Sequence, residues 1–214
     1  MGIVRKTAVV IVGTFFKLLY RHKVYGTENM PKGAAIIASN HCSFYDPPII
    51  GVSSTDYIHF LARGSLFRFP LFAWLLRELA THPVARGKGN TETFKKAYAF
   101  LNNGEKVAIF PEGKRSKDGM IGEGLLGTSV LVMRSRALVV PTYVHGTYEI
   151  WNARKKFPKL KGRMACVFGK PIDFSDLFSL EDKKEAQKLI VAKIMDAIKK
   201  LREWYLAGAH GTPP

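Results

Sequence analysis

Short runs of apolar residues alternate along the chain with segments in which apolar residues recur every three to four positions. Uninterrupted apolar runs are typical of buried strands, and they predict strands at 34–40, 57–62, 106–110, 137–144 and 163–169. The helical spacing predicts helices at 48–52, 70–79, 91–102, 124–135 and 181–205. Apolar strands that alternate with helices indicate an α/β fold, with a single, largely parallel sheet flanked by helices.

The first apolar segment has a different character, because it is apolar on nearly every side and carries only basic charges. Its apolar run covers residues 8–20, is broken by Lys17 and leads to no signal-peptide cleavage site. A helix that crosses a bilayer needs about 20 apolar residues, and this run is shorter. With five cations and no acidic residue, residues 1–27 predict a membrane-associated helix lying in an anionic interface. An ordinary amphipathic helix packed on the domain is the alternative.

The chain divides into three parts on this interpretation. A membrane-anchoring helix occupies residues 1–27, one domain covers residues 28–207, and residues 208–214 form a disordered tail, because GAHGTPP has nothing to bury. Residues 23–33 are expected to be a linker or turn region. A chain of 214 residues is long enough for one core and short for two.

The charge of the chain limits the classes of partner that it is expected to bind. Its 33 Lys and Arg against 17 Asp and Glu give a net charge of +16, which favours anionic partners. We expect no nucleic-acid partner, because no groove-reading helix or aromatic sheet motif is present. Cys42 and Cys166 lack metal-ligand spacing, so we expect no metal and a reducing, cytoplasm-facing setting.

A first candidate site, NHCSFYDPP, lies at residues 40–48, directly after a predicted strand and before a predicted helix. His41 and Asp46 meet only if the chain turns between them, and the two prolines that follow favour a turn. In contact, the carboxylate would accept the Nδ1 proton and leave Nε2 as a general base. The alternative is that Asp46 is only a helix N-cap followed by proline, and both roles are compatible.

A second candidate site, IFPEGKRSKDG, follows the strand predicted at residues 106–110. A flexible turn, two cations and a hydroxyl within five positions are suited to holding a phosphate; the residues are Glu112, Gly113, Lys114, Arg115 and Ser116. Because Glu112 would repel a phosphate, it is expected to accept hydrogen bonds from a substrate hydroxyl or to orient a cation. A polar surface turn is the alternative.

Together, the two motifs resemble those of the 1-acylglycerol-3-phosphate acyltransferase family of the glycerolipid acyltransferase superfamily. That family carries Asn-His-x-x-x-x-Asp and then Phe-Pro-Glu-Gly-Thr-Arg-Ser, and this chain has NHCSFYD and FPEGKRS in the same order. Weaker matches are RGSLFRFPLFAWLL, VARG and VVPTYVHG, so that the resemblance covers roughly residues 31–169.

The resemblance implies transfer of a fatty acyl group from acyl-CoA or acyl carrier protein to the sn-2 hydroxyl of lysophosphatidic acid, without a further cofactor. His41 would be the general base and Asp46 would orient it. Arg63, Arg86 and Arg115 would bind the acceptor phosphate, with Lys114 adding positive charge. The remaining expected roles are positioning of glycerol oxygens, by Glu112 and Ser116, and shaping of the site, by Pro141.

Two departures leave the acceptor open: Lys114 stands in place of the usual threonine, and Arg63 in place of the usual lysine. Glycerol-3-phosphate, another lysolipid, or a non-catalytic anionic-lipid-binding role are the alternatives. A hydrolase is disfavoured, because there is no G-x-S-x-G elbow and Cys42 is the only nearby nucleophile. We expect a peripheral or monotopic protein on the cytoplasmic face of the cell membrane.

Two further segments mix large apolar residues with cations. The segment 66–79 suits a helix at the level of lipid headgroups, with a core helix as the alternative. The segment 151–163 has six cations and no acidic residue, and is expected to contact anionic lipid or an acidic acyl carrier protein unless it is a solvated loop.

Overall fold

The computed structural model describes residues 3–84 and 91–214. The strands in these residues are β1 (Lys23–Tyr25), β2 (Ala35–Ser39), β3 (Ile58–Arg63), β4 (Thr81–Val84), β5 (Lys106–Ile109), β6 (Leu138–His145) and β7 (Ala165–Phe168). The α-helices are α1 (Ile3–Tyr20), α2 (Asp46–Ser53), α3 (Pro70–Glu78), α4 (Thr91–Asn102), α5 (Gly127–Ser135), α6 (Thr147–Trp151) and α7 (Lys183–Leu206). Single 3₁₀ turns lie at Thr27–Asn29, Gly64–Phe67 and Ser175–Leu177.

The described strands form one sheet in the order β1-β7-β6-β2-β5-β3-β4. Strands β6, β2, β5, β3 and β4 run parallel to one another. Strand β7 pairs antiparallel with β6, and β1 then pairs parallel with β7. The predicted α/β fold with a largely parallel sheet is confirmed, and β2 lies in its middle.

Each face of the sheet is covered by its own helices. Ile37 of β2 packs in the core beneath α1 and α2, whereas Ile36 packs in the core beneath α4, α5 and α7. Neighbouring residues of a strand point to opposite faces, so a strand buried on both faces must be apolar throughout. This is why the five predicted strands read as uninterrupted apolar runs.

Three short elements differ from the sequence-based expectations. Residues 23–33 are not only a linker, because β1 lies within them and pairs with β7. Strand β4 has four residues and includes a proline, and helix α6 has five residues. None of the three carries an apolar run or a helical period of its own. Strands β1 and β4 are defined by the strands they pair with, and α6 by the burial of Thr147 and Ile150.

Helix α1 is part of the domain rather than a separate unit. Phe16 and Tyr20 are 2% and 1% exposed and belong to the core beneath α2. Both α1 and β1 thus contribute to the folded body, and the boundary at residue 27 stays a prediction. The outer face of α1 remains apolar and exposed, at Ile3, Val4, Val10, Ile11, Phe15 and Leu18. Among the described helices, none combines the length and the apolar character that crossing a bilayer would need.

Helix α7 begins with a side-chain cap, because the Asp182 carboxylate accepts hydrogen bonds from the N–H groups of Lys184 and Glu185. Beyond α7, residues 208–214 differ from the disordered tail that we expected. The carbonyl of Pro214 accepts a hydrogen bond of 3.0 Å from the N–H of Lys170. The tail thus lies against the body at the end of β7.

Candidate active site

Four parallel strands end at one edge of the sheet, and each delivers a polar side chain there. His41 follows β2, Glu112 follows β5, Thr147 follows β6, and Arg63 is the last residue of β3. Strand β2 pairs with β6 on one side and β5 on the other, and β5 pairs with β3. The carboxyl ends of neighbouring parallel strands form the common site of open α/β sheets, so these residues are brought together by topology.

His41 and Asp46 form the expected pair. The distance between His41 Nδ1 and Asp46 Oδ2 is 2.7 Å, and Asp46 is fully buried. The same carboxylate oxygen accepts the backbone N–H groups of Cys42 at 2.6 Å and Ser43 at 2.7 Å, because the chain turns around it. Asp46 makes no capping hydrogen bond to α2, whose first turn contains two prolines, so the helix-cap role is wrong.

The second oxygen of Asp46 is held by a residue that the motif does not contain. Thr147 donates its hydroxyl to Asp46 Oδ1 at 2.6 Å. Cys42 is 5% exposed, and its thiol contacts the Thr147 hydroxyl at 3.4 Å. Burial, together with the charge of Asp46, raises the pKa of the Cys42 thiol well above its usual range. The thiolate is therefore disfavoured, and Cys42 is not an activated nucleophile.

The His41 ring is fixed from several sides. The ring stacks on Phe110 with ring centres 4.0 Å apart, and the backbone N–H of His41 donates to Glu112 Oε1 at 3.0 Å. Its carbonyl accepts the N–H of Ser116 at 2.7 Å. With Nδ1 facing a carboxylate, the ring proton lies on Nδ1 and Nε2 is the free base. The side chain is 18% exposed, which leaves it open to a substrate.

Glu112 has contacts that indicate a different role from the one predicted. It is 7% exposed, and its second oxygen accepts the N–H of Gly122 at 3.1 Å. Burial raises the pKa of its carboxyl, while the N–H donors of His41 and Gly122 oppose the shift. Glu112 thus ties the loop that carries His41 to the loop that follows β5.

Arg115 and Arg63 form the cationic side of the site. The Arg115 guanidinium lies 3.8 Å from the ring centre of Phe44, and its Nη1 is buried without a hydrogen-bond partner among the described residues. Burial lowers the pKa of Arg115, and the neighbouring charge of Arg63 lowers it further. Lys114 is exposed beside them. Neighbouring cations with an unused donor are what an anion would satisfy.

The other predicted residues have structural contacts or lie elsewhere. Ser116 uses its hydroxyl within its own turn, donating to Asp118 at 2.8 Å, so a role in positioning glycerol oxygens has no support in its contacts. Gly113 has a φ of +67°, a left-handed conformation that glycine adopts without strain. Pro141 lies in mid-β6 against Gly169 and the C-terminal residue, away from the strand ends. Arg86 lies outside the described residues.

Sequence reasoning missed the side chains that support the site from neighbouring strands. Asn40 closes a pair of hydrogen bonds with the backbone of Val144, at 2.8 and 3.0 Å, and so locks the end of β2 to the end of β6. Thr147 is delivered by the same strand pair. The sequence did offer one signal for Thr147, its position. Thr147 follows the apolar strand β6 and Gly146, and polar residues just after a parallel strand lie at the edge of the sheet where α/β sites form.

A family model described as Acyltransferase matches residues 21–145, which contain both candidate motifs. The chain belongs to the acyltransferase family. The chain is 30% identical over 165 residues to the 1-acyl-sn-glycerol-3-phosphate acyltransferase of Bacillus subtilis (strain 168), covering 76% of this chain and 79% of that protein. The expected family is confirmed.

The chain is also similar to a plant protein and to a protein of known crystal structure. It is 28% identical over 157 residues to the chloroplastic 1-acyl-sn-glycerol-3-phosphate acyltransferase of Arabidopsis thaliana; the match covers 72% of this chain and 44% of that protein, so the chain spans under half of that relative's length. The crystal structure of the 1-acyl-sn-glycerophosphate acyltransferase from Thermotoga maritima has the same fold, with a TM-score of 0.70 and 24% identity, covering 92% of this chain and 81% of that one.

Proposed function

We propose that this acyltransferase moves a fatty acyl group from an acyl thioester to the sn-2 hydroxyl of lysophosphatidic acid, which yields phosphatidic acid. The observation that carries the proposal is the His41–Asp46 pair of 2.7 Å, placed beside a cluster of cations at the strand ends. A base next to an anion-binding surface suits an acceptor that has both a hydroxyl and a phosphate.

In this mechanism His41 Nε2 takes the proton of the acceptor hydroxyl as that oxygen attacks the thioester carbonyl. The tetrahedral intermediate then collapses, the carbon–sulfur bond breaks, and the thiolate takes the proton from the imidazolium. Asp46 stabilises the imidazolium and holds the tautomer through Nδ1. No residue of the protein becomes acylated, which agrees with the buried and protonated state of Cys42.

The acceptor phosphate would bind to Arg115 and Arg63. The Nη1 group of Arg115 has an unused buried donor, and a phosphate oxygen would satisfy it. Lys114 adds charge without a fixed contact. Arg86 is proposed as a further phosphate ligand on the basis of the sequence motif alone.

We further propose that the acyltransferase works at an anionic membrane surface through the outer face of α1, on the cytoplasmic side. The exposed apolar residues of that face recur at helical spacing, and Lys6, Lys17 and Arg21 lie near it. Such a helix partitions into the headgroup region without spanning the bilayer. The acyl donor is proposed to be acyl-CoA or acyl carrier protein, which present the same thioester chemistry.

The test is release of free thiol from an acyl thioester by the purified protein, with lysophosphatidic acid, glycerol-3-phosphate, another lysolipid or no acceptor. We expect turnover with lysophosphatidic acid and a loss of at least about 100-fold in kcat for His41→Ala. Arg115→Lys serves as a matched variant, since it should raise KM for the acceptor more than it lowers kcat.

The other outcomes separate the alternatives. Thiol release without an acceptor would indicate a thioesterase, and preference for another acceptor would correct the substrate. A protein that binds vesicles, transfers no acyl group to any of these acceptors and is unaffected by His41→Ala would be a lipid-binding domain.

A further inference from the structure

The most exposed large apolar side chains of the described residues fall into three pairs. Ile3 and Leu18 of α1 are 80% and 76% exposed, and Phe69 and Leu71 at the start of α3 are 74% and 79% exposed. The third pair, Phe157 and Leu160, at 72% and 75%, lies in the loop between α6 and β7. We name residues 152–163 the basic loop, because it contains six cations and no acidic residue.

Phe157 and Leu160 are exposed although the loop that carries them is hydrogen-bonded to the rest of the protein. The N–H of Lys159 donates to the carbonyl of Ile150 at 3.1 Å, and the indole N–H of Trp151 donates to the carbonyl of Lys155 at 3.2 Å. These bonds anchor the basic loop before and after Phe157. The loop backbone is thus held to the body while two large apolar side chains face water, which is unfavourable in an isolated protein.

The basic loop connects α1 with the active site. At one end, the hydroxyl of Tyr20, the last residue of α1, donates to the carbonyl of Lys159 at 2.9 Å. Directly before the loop, at the end of α6, the Trp151 ring lies 4.9 Å from the ring of Phe44, the same ring on which the Arg115 guanidinium stacks. A surface touched by the loop therefore lies next to both the helix and the opening of the site.

We propose that the basic loop is a second membrane contact, in which Phe157 and Leu160 enter the lipid interface and the surrounding cations bind anionic headgroups. The inference rests on the proposed function, because it supplies the means by which a lipid acceptor reaches His41. Apolar side chains among cations are the composition of an interfacial anchor. A carrier protein would explain the cations alone, whereas a lipid surface also explains the two apolar side chains.

The direct test is a polarity-sensitive fluorophore attached to the loop. Both native cysteines are buried, so a cysteine introduced by Phe157→Cys can be labelled selectively. We expect a blue shift and increased emission when vesicles of phosphatidylcholine with phosphatidylglycerol are added. Labels at Ile11→Cys on α1 and at Leu189→Cys on α7 provide the positive and negative controls. A shift at position 11 without a shift at position 157 would overturn the proposal.

The second test measures binding to the same vesicles by cosedimentation. We expect Phe157→Gln/Leu160→Gln to weaken partition by at least about tenfold, because two large apolar side chains lose their lipid contact. The matched control, Leu189→Gln/Leu206→Gln, removes two exposed apolar residues of α7 and should bind like the unmodified protein. Equal binding of both double variants would contradict the proposal.

Failure of this inference can be told apart from failure of the proposed function. Turnover of a short-chain lysophosphatidic acid below its critical micelle concentration needs no membrane, so the loop variant should retain it within about twofold. Turnover of vesicle-bound acceptor should fall with binding. If the label at position 157 responds to acyl carrier protein and not to vesicles, the loop is a protein-docking surface and the lipid proposal is wrong.

Discussion

Asp46 is the residue on which the geometry of the site depends. Its carboxylate accepts hydrogen bonds from His41 Nδ1, from the N–H groups of Cys42 and Ser43, and from the hydroxyl of Thr147. The first three donors lie in one turn and share Oδ2, whereas Thr147 alone among them reaches Oδ1 from the end of β6. Thr147 therefore fixes the rotation of the carboxylate plane, and with it the direction in which the imidazole points.

Thr147→Val should lower kcat by about 10- to 100-fold while leaving KM for the acceptor nearly unchanged. A hydrogen bond to a charged group contributes about 1.5–3 kcal/mol, and its loss leaves the buried Oδ1 with only the weak thiol donor of Cys42, at 4.0 Å. Steady-state kinetics would measure the effect. Thr147→Ser keeps the hydroxyl and should restore most of the rate; a serine variant as impaired as the valine variant would argue against the hydrogen bond as the cause.

The sequence predicted the His41–Asp46 contact but not the role of Thr147, for a physical reason. The turn that joins His41 to Asp46 is local, and the two prolines that follow Asp46 indicate it. Thr147 is 101 residues from Asp46, and it arrives only because β6 pairs with β2 in one register. Glu112 was identified as a site residue, but its contacts with the backbone N–H groups of His41 and Gly122 were not predicted. A sequence motif does not show which backbone groups a side chain will bind.

At the scale of elements, α1 has two apolar faces with different tasks. Phe16→Ala on the inner face should destabilise the protein by about 3–5 kcal/mol, because it opens a cavity in the core under α2. Ile11→Gln on the outer face should change stability by less than about 0.5 kcal/mol and weaken vesicle binding several-fold. Chemical denaturation and cosedimentation would measure the two effects, and equal destabilisation by both variants would contradict this division.

The same helix shows how far a pattern of apolar positions can be interpreted. Because α1 is apolar on both faces, the sequence predicted an interfacial helix but could not reveal that one face is in the core. The other five strands, β2, β3, β5, β6 and β7, were predicted because most of their residues are buried in the sheet and they read as apolar runs. Strands β1 and β4 have three and four residues and form by pairing with β7 and β3. A short stretch of sequence around either strand does not contain its pairing partner.

At the scale of the whole molecule, one half-buried and one buried histidine make stability depend on pH. Burial lowers the pKa of His22 to about 4, and burial together with His82 and Arg5 lowers the pKa of His59 to about 4. Their ordinary value is 6.5, so between about pH 4 and 6.5 the unfolded chain binds more protons than the folded one. Their contribution is present above pH 6.5 and is lost as the pH falls towards 4.

We expect the free energy of unfolding to fall by about 1 kcal/mol per histidine between pH 7 and pH 5, because solvent screening reduces the effect of the full pKa shift. Urea denaturation at the two pH values would measure it. The double variant His22→Gln/His59→Gln should show a smaller loss over the same interval. An unchanged pH dependence in that variant would mean that other groups control acid stability.

The pairing of the first strand with the last has a consequence for biosynthesis. Tyr20, at the end of α1, bonds to a carbonyl 139 residues later, and β1 can pair only after β7 has been made. While the ribosome adds the intervening residues, the inner face of α1 lacks the core residues that β7 and the residue before it supply. The nascent chain therefore keeps part of an apolar helix uncovered until β7 has been made, and in that interval the helix is exposed to aggregation or to capture by a chaperone.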